Sequence, residues 1–221
     1  MAPTCLSGSR GFIAPRFLWR RQPKPRLFAG GVLYWAQGCH SPCMDKSDIR
    51  ARLRALRKDM IRPDTVAALC RHADALPEGQ VVALYHAIGA EMPTQALAQA
   101  LLDQGRTLCL PVVVARDQPM VFRVWTPGEP LEDDMAGCPA PLDLNSEVVP
   151  DLVITPLVAF DAHGYRLGQG GGHYDRTLAV LPQAIRVGLA FAAQEVEPLP
   201  TEAHDIRLHG VLTENGYRAF V

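Results

Sequence analysis

Five glycines fall within nine residues, at Gly164, Gly168, Gly170, Gly171 and Gly172, and Arg166, His173, Tyr174, Asp175 and Arg176 stand around them. Glycine lacks a Cβ, so it adopts positive φ and lets another group approach the backbone closely. A run of such residues turns successive amide N–H groups into a concave loop, the arrangement by which proteins cradle phosphate. Flanking arginines suit the same anion, because a guanidinium matches phosphate geometry with paired donors.

A phosphate loop needs a strand before it and a helix after it. Leu152 to Val158 carries the strand signal, within a buried strand expected over Asp151 to Phe160. The helix is expected from Tyr174 to Leu181, stopped by Pro182. The dinucleotide pattern G-x-G-x-x-G is out of register here, since His173 stands at its sixth place. The Walker loop fails too, because His173 and Tyr174 follow the last glycine in place of Lys and Ser or Thr. A bare turn would not need Arg166, Asp175 and Arg176 packed around it, so the stretch reads as a binding loop of another kind.

Other elements must position this loop. Asp45 to Met60 reads as an amphipathic helix: Ile49, Leu53, Leu56 and Met60 recur at helical spacing, with Asp45 or Ser47 as the cap. Its other face is basic, with Lys46, Arg50, Arg54, Arg57 and Lys58 against only Asp48 and Asp59. Lys46 and Arg50 lie one turn apart and project together. A second helix starts at Pro63 and runs to about Ala75. Val81 to His86 is a compact apolar strand, followed by a turn and a helix from Thr94 to about Gln104. Glu91 sits just past that strand's end, where open α/β folds place ligands, although a harmless role at the next helix's positive end fits it as well. Thr107 to Val114 and Met120 to Trp125 are further strands, Pro127 to Pro141 reads as loop, and Ile185 to Phe191 as a final core strand. Asp133 and Asp134, adjacent within that loop, read as solvated. Strands alternating with helices predict an α/β fold: a layered, mostly parallel sheet flanked by helices, in a single domain from Met44 to Val221.

The string GYRLGQGGGHYDRTL at 164–178 resembles the signature G-x-R-L-G-x-G-x-G-[YF]-Y-D of the 5-formyltetrahydrofolate cyclo-ligase, or 5,10-methenyltetrahydrofolate synthetase, family. His173 departs from it where the family has an aromatic ring, and reads as a variation in the pocket wall. The family also opens with K-x-x-[LI]-R, matched by Lys46, Ile49 and Arg50. The resemblance implies ATP-dependent, magnesium-dependent closure of 5-formyltetrahydrofolate to 5,10-methenyltetrahydrofolate. The formyl oxygen attacks the γ-phosphorus, and N10 then attacks the resulting imino-phosphate as phosphate leaves. It implies ATP binding by Lys46, Ser47, Asp48, Ile49 and Arg50, and by Arg166, Leu167, Gly168, Gln169, Gly170, Gly171, Gly172, His173 and Tyr174. It implies folate binding by Arg50, His86, Glu91, Gln169, Gly170, Gly171, Gly172 and His173, with Glu91 on the amino-pyrimidine edge. Lys46, Arg166 and Asp175 would be catalytic. Asp175 would hold magnesium together with Asp205, which follows Leu199-Pro200 and precedes the last strand.

Charge divides the chain. Of its 22 basic residues six lie in residues 1–43, a stretch with no acid, which leaves 16 against 23 acidic residues and a formal charge of −7 for the body. An acidic body with its basic residues gathered on one helix argues against nucleic acid as partner. The first 43 residues lack the apolar core of a secretory signal, and their longest apolar piece is too short to span a membrane. They fit a mitochondrial transit peptide, or residues upstream of a natural start at Met44. The second reading is favoured, because MDKSDIRARLRALRKDM reads as an N-terminus; residues 1–43 are expected to be disordered and dispensable. Cys39, His40 and Cys43 there have no partner pair for a zinc site. Cys70, Cys109 and Cys138 are scattered in the body, an odd count that points to a reducing compartment. The protein is expected to be cytoplasmic and monomeric. Two other readings remain open: a related ATP-dependent enzyme acting on another formylated or phosphorylated small molecule, and a non-catalytic nucleotide- or folate-binding protein.

Overall fold

The computed structural model describes residues 45–196 and 198–220; the expected N-terminal extension lies outside them. Asp45 begins the first helix, α1 (Lys46–Arg57), by accepting from the Ser47 and Asp48 amides at 2.8 and 2.9 Å. Asp45 is therefore the N-cap, and Ser47 donates its own hydroxyl to it. The buried face of α1 carries Ile49 and Leu53, which join Val158, Ala159, Leu167 and Leu199 in one apolar cluster. Burying a leucine of this kind contributes about 1.5–3 kcal/mol, so α1 is fastened directly to the chain that enters the Gly-rich loop.

The second helical stretch breaks in two, α2 (Pro63–Cys70) and a single 3₁₀ turn over Ala73–Ala75. Strand β1 (Val81–Ala83) precedes α3 (Gln95–Asp103) and β2 (Thr107–Val112), and β3 (Val121–Val124) folds back antiparallel on β2. The region 127–141 is not simple loop. It forms a hairpin of β4 (Leu131–Asp133) and β5 (Pro139–Pro141). Asp134 makes that turn, accepting from the Val113, Ala136 and Cys138 amides at 2.8, 2.8 and 3.0 Å. It is thus a structural carboxylate, not a solvated one. Three-residue strands rich in proline carry no readable alternation.

The expected strand over 151–160 also divides, into β6 (Leu152–Pro156) and β7 (Ala159–Phe160), the latter paired with β8 (Arg166–Leu167). The loop then feeds α4 (His173–Ala179) and β9 (Ile185–Leu189). Strand β9 is not the last core strand: β10 (Gly210–Thr213) lies parallel beside it, and β11 (Gly216–Ala219) turns back antiparallel. Glu214 and Asn215 form the two-residue turn between β10 and β11, and Gly216, with φ of 121°, opens β11 opposite Thr213.

The seven-stranded sheet runs β11-β10-β9-β6-β1-β2-β3, with the five strands from β10 to β2 parallel. This is the expected α/β architecture with two antiparallel edges. From β1 the chain moves through α3 to β2 on one side; from β6 it moves through the Gly-rich loop and α4 to β9 on the other. The carboxyl ends of β1 and β6 therefore flank a topological switch point, where open sheets leave a crevice.

Candidate functional site

A cavity of about 460 Å³ opens at that switch point. Tyr85, His86 and Glu91 line it from the segment after β1, Pro156 and Leu157 from the end of β6, and Lys46 and Arg50 from α1. The Gly-rich loop supplies Arg166 through Asp175, and Glu202, His204 and Asp205 close the far side. The hairpin contributes Asp134 and Cys138.

Buried Asp161 organises the approach to the loop. One of its oxygens accepts from the His163 and Tyr165 amides at 2.9 and 3.0 Å, shaping the turn that delivers Arg166. Arg166 then donates to Asp175 at 2.9 Å and to the Ile206 carbonyl at 2.9 Å. Lys46 bridges Glu202 at 2.8 Å and Asp205 at 2.9 Å. Burial pulls the Lys46 ammonium down, but its bonds to Glu202 and Asp205 more than reverse this and raise it. For Asp205, burial raises the carboxyl and the Lys46 and Glu202-amide bonds outweigh it, so it lies below the ordinary range. Arg50 donates to the Gly168 carbonyl at 2.8 Å and lies beside Gly170, whose φ is 107°. Helix α4 has only seven residues, so the loop amides and these cations, not a long helix dipole, supply the positive field.

Asp175 binds Arg166 and the Ile206 amide through Oδ1, and Asp205 binds Lys46 and the Glu202 amide through Oδ2. The second oxygen of each has no hydrogen-bond partner among the described residues. No group of three or more Asp, Glu, His or Cys among those residues could hold a metal unaided. This donor set fits magnesium in the manner that ion prefers, by one or two carboxylates completed with waters and substrate phosphates.

The opposite end is built around Glu91, only 8% exposed. One oxygen accepts from the Ile88 amide at 3.1 Å and the other from the Gln169 amide at 3.3 Å. Gln169 is oriented from behind: Arg54 donates to its side-chain oxygen from Nε at 2.9 Å, which turns its NH₂ toward Glu91. No cation lies within ion-pair distance of Glu91 among the described residues. Arg57, 4% exposed, donates to the Leu157 carbonyl at 3.1 Å beneath this end, while its Nε has no partner. Burial lowers its affinity for the proton, and the Glu91 charge acts the other way. Tyr174 lines the same space, its hydroxyl held protonated by burial and then by the Glu91 charge.

Of the residues singled out from sequence, Lys46, Arg50, His86, Glu91, Arg166 through Asp175, and Asp205 all reach this one cavity. Ser47, Asp48 and Ile49 do not line it: Ser47 and Asp48 serve the Asp45 cap, and Ile49 is buried in the apolar cluster. Arg54, Arg57 and Asp134 went unassigned by the sequence. The first two belong to the basic face of α1, a pattern that marked the helix without separating ligand contacts from supports.

The chain matches the 5-formyltetrahydrofolate cyclo-ligase family over residues 43–214. It belongs to that family. The 5-formyltetrahydrofolate cyclo-ligase of Haemophilus influenzae is 37% identical over 174 residues, covering 74% of this chain and 91% of that protein. The enzyme of the same name from Escherichia coli K12 is 36% identical over 175 residues, 75% of this chain and 96% of its own. The solved 5,10-methenyltetrahydrofolate synthetase of Aquifex aeolicus superposes with a TM-score of 0.66 at 29% identity, over 80% of this chain and 93% of that one. The Mycoplasma pneumoniae synthetase, at 21% identity and a TM-score of 0.62, shares the fold.

Proposed function

We propose that this chain converts 5-formyltetrahydrofolate to 5,10-methenyltetrahydrofolate with conversion of ATP to ADP and phosphate. The observation that carries this reading is the composition of the cavity. A cationic Gly-rich loop and a buried carboxylate that meets no cation at ion-pair distance among the described residues line the same space of about 460 Å³. The first suits a triphosphate. The second suits the amino-pyrimidine edge of a pterin, which offers paired N–H donors.

The formyl oxygen attacks the γ-phosphorus and ADP leaves. N10 then attacks the formyl carbon, the C–O bond breaks, and phosphate departs as the methenyl bridge closes. No covalent nucleophile on the protein is needed. The chain's task is to align two substrates and to offset charge on the transferring phosphoryl group. Lys46, Arg166 and the amides of Gly168 to Gly172 serve the phosphates; Glu91, Gln169, Arg50 and His86 serve the folate. Asp175 and Asp205 would hold magnesium, which supplies charge neutralisation on the phosphates when bound. The three cysteines among the described residues are free, in keeping with a cytoplasmic location. The family match begins at residue 43, which supports a catalytic domain starting near Met44.

Incubation of the protein with 5-formyltetrahydrofolate, ATP and magnesium tests the proposal. The expected result is near-ultraviolet absorbance of the methenyl product, dependent on ATP, with one ADP per product. Absence of product from the full chain and from a chain beginning at Met44 would reject it.

A further inference from the structure

Arg176 follows the Gly-rich loop by one helical turn and does not line the cavity, yet one of its nitrogens meets three acceptors. Two are carbonyl oxygens, of Gly171 at 3.0 Å and Arg116 at 2.8 Å from Nη2, and the third is a ring nitrogen, His173 Nδ1 at 3.2 Å, which accepts in one of the two neutral tautomers. The loop is shaped to admit this contact. A Cβ on Gly172 would stand 2.7 Å from Arg176 Nη1, and one on Gly171 would stand 2.9 Å from His173 Cδ2. Both adjacent glycines thus leave room for a side chain that lies against the loop. A guanidinium only donates, so this contact is a hydrogen bond, sharing one of the two Nη2 protons, only when Nδ1 of His173 accepts. The proton of the neutral ring is then on Nε2. Unlike Arg176, His173 lines the cavity, and its Nε2 is not taken by any other group among the described residues.

We propose that Arg176 is a positioning residue that fixes His173 with Nδ1 as acceptor, so that Nε2–H is presented as a donor to a phosphoryl oxygen of the nucleotide. An aromatic ring at this place could stack but could not donate from that edge. The proposal rests on the nucleotide reading of the cavity for its ligand. The orientation of the imidazole stands without it.

Two measurements test this. In ligand-free protein labelled with ¹⁵N-histidine, long-range ¹H–¹⁵N correlations should show His173 wholly in the Nε2–H form, and a mixture in Arg176→Ala; Arg176→Met serves if the alanine variant does not fold. Signals are assigned by their loss in His173→Phe. An Nδ1–H tautomer in the wild-type protein, or an unchanged tautomer in both variants, would overturn the proposal. Kinetically, Arg176→Ala and His173→Phe should each raise the KM for ATP about tenfold, the loss of one hydrogen bond to a charged group, with the KM for folate unchanged. Because Arg176 acts through His173, adding R176A to H173F should cost nothing further. A purely structural brace would give additive losses, and a shift confined to the folate KM would refute the assigned ligand. If wild-type protein shows no ATP-dependent turnover, the functional reading fails, and the tautomer measurement still decides whether Arg176 orients the ring.

Discussion

The two ends of the cavity handle charge in opposite ways. At one end, cations are already paired with carboxylates: Lys46 with Glu202 and Asp205, and Arg166 with Asp175. At the other, Glu91 is buried, holds only amide donors, and meets no cation within ion-pair distance among the described residues. A pre-paired cluster is well suited to a polyanion that arrives with a metal, because the carboxylates are present to share it. A buried carboxylate satisfied only by weak amide contacts is suited to a neutral ligand with N–H donors. A buried carboxylate left short of partners is costly, so a donor-rich ligand gains affinity by completing its shell.

Breaking the cationic end should have the largest effect. Lys46→Ala removes a cation from the transferring phosphoryl group and should lower kcat about 10³-fold. Asp175→Asn should likewise abolish magnesium-dependent turnover while circular dichroism shows the fold intact; full activity would remove Asp175 from the site. Glu91→Gln breaks the other end. It should raise the KM for 5-formyltetrahydrofolate about 10- to 100-fold, as loss of charge-assisted hydrogen bonds does, with the KM for ATP unchanged. Equal changes in both constants would erase the distinction between the ends. Arg54→Ala touches the second end indirectly by freeing the Gln169 amide to turn. A rise of about fivefold in the folate KM is expected, the scale of one neutral hydrogen bond.

The smallest effect is on stability. The Asp205 carboxyl lies below its ordinary value of 3.8 in the folded chain, so its contribution is present above that pH and is lost as pH falls through the lowered value. Lys46 is raised above 10.5, so its share is present below that pH and is lost only as pH rises past its folded value. The stability difference between wild type and Asp205→Asn, about 0.5–1 kcal/mol for such a pair, should therefore be flat from pH 5 to pH 9. It should shrink as pH falls below 3.8 in thermal unfolding, and go once the pH is below the lowered Asp205 value. Shrinkage of the difference at neutral pH would contradict the pairing.

Much of this was legible in the sequence where chemistry and local pattern coincide. The glycines, Arg166 and Asp175 sit in one short stretch, and Lys46 and Arg50 stand one turn apart, so they could be read without a fold. Ser47 and Asp48 lie off the cavity lining because Asp45 takes their amides for the helix cap, a use for polar residues that sequence pattern does not separate from ligand contact. The Arg54–Gln169–Glu91 chain joins residues 115 and 78 positions apart, a juxtaposition that only the sheet order creates. Asp134 was hidden by its surroundings: its role is to accept three amides, which no spacing in an acidic, proline-rich stretch reveals. The β10–β11 hairpin went unread because its strands are only four residues each.

On the proposed reaction, the two ends of the cavity bring the formyl oxygen and the γ-phosphate together for direct transfer. Substrate carrying ¹⁸O in the formyl group, turned over with unlabelled ATP, tests it most directly. The released phosphate should carry one ¹⁸O per methenyl product formed. Phosphate without label, with the heavy oxygen recovered in water, would mean that ATP is cleaved without joining the formyl oxygen.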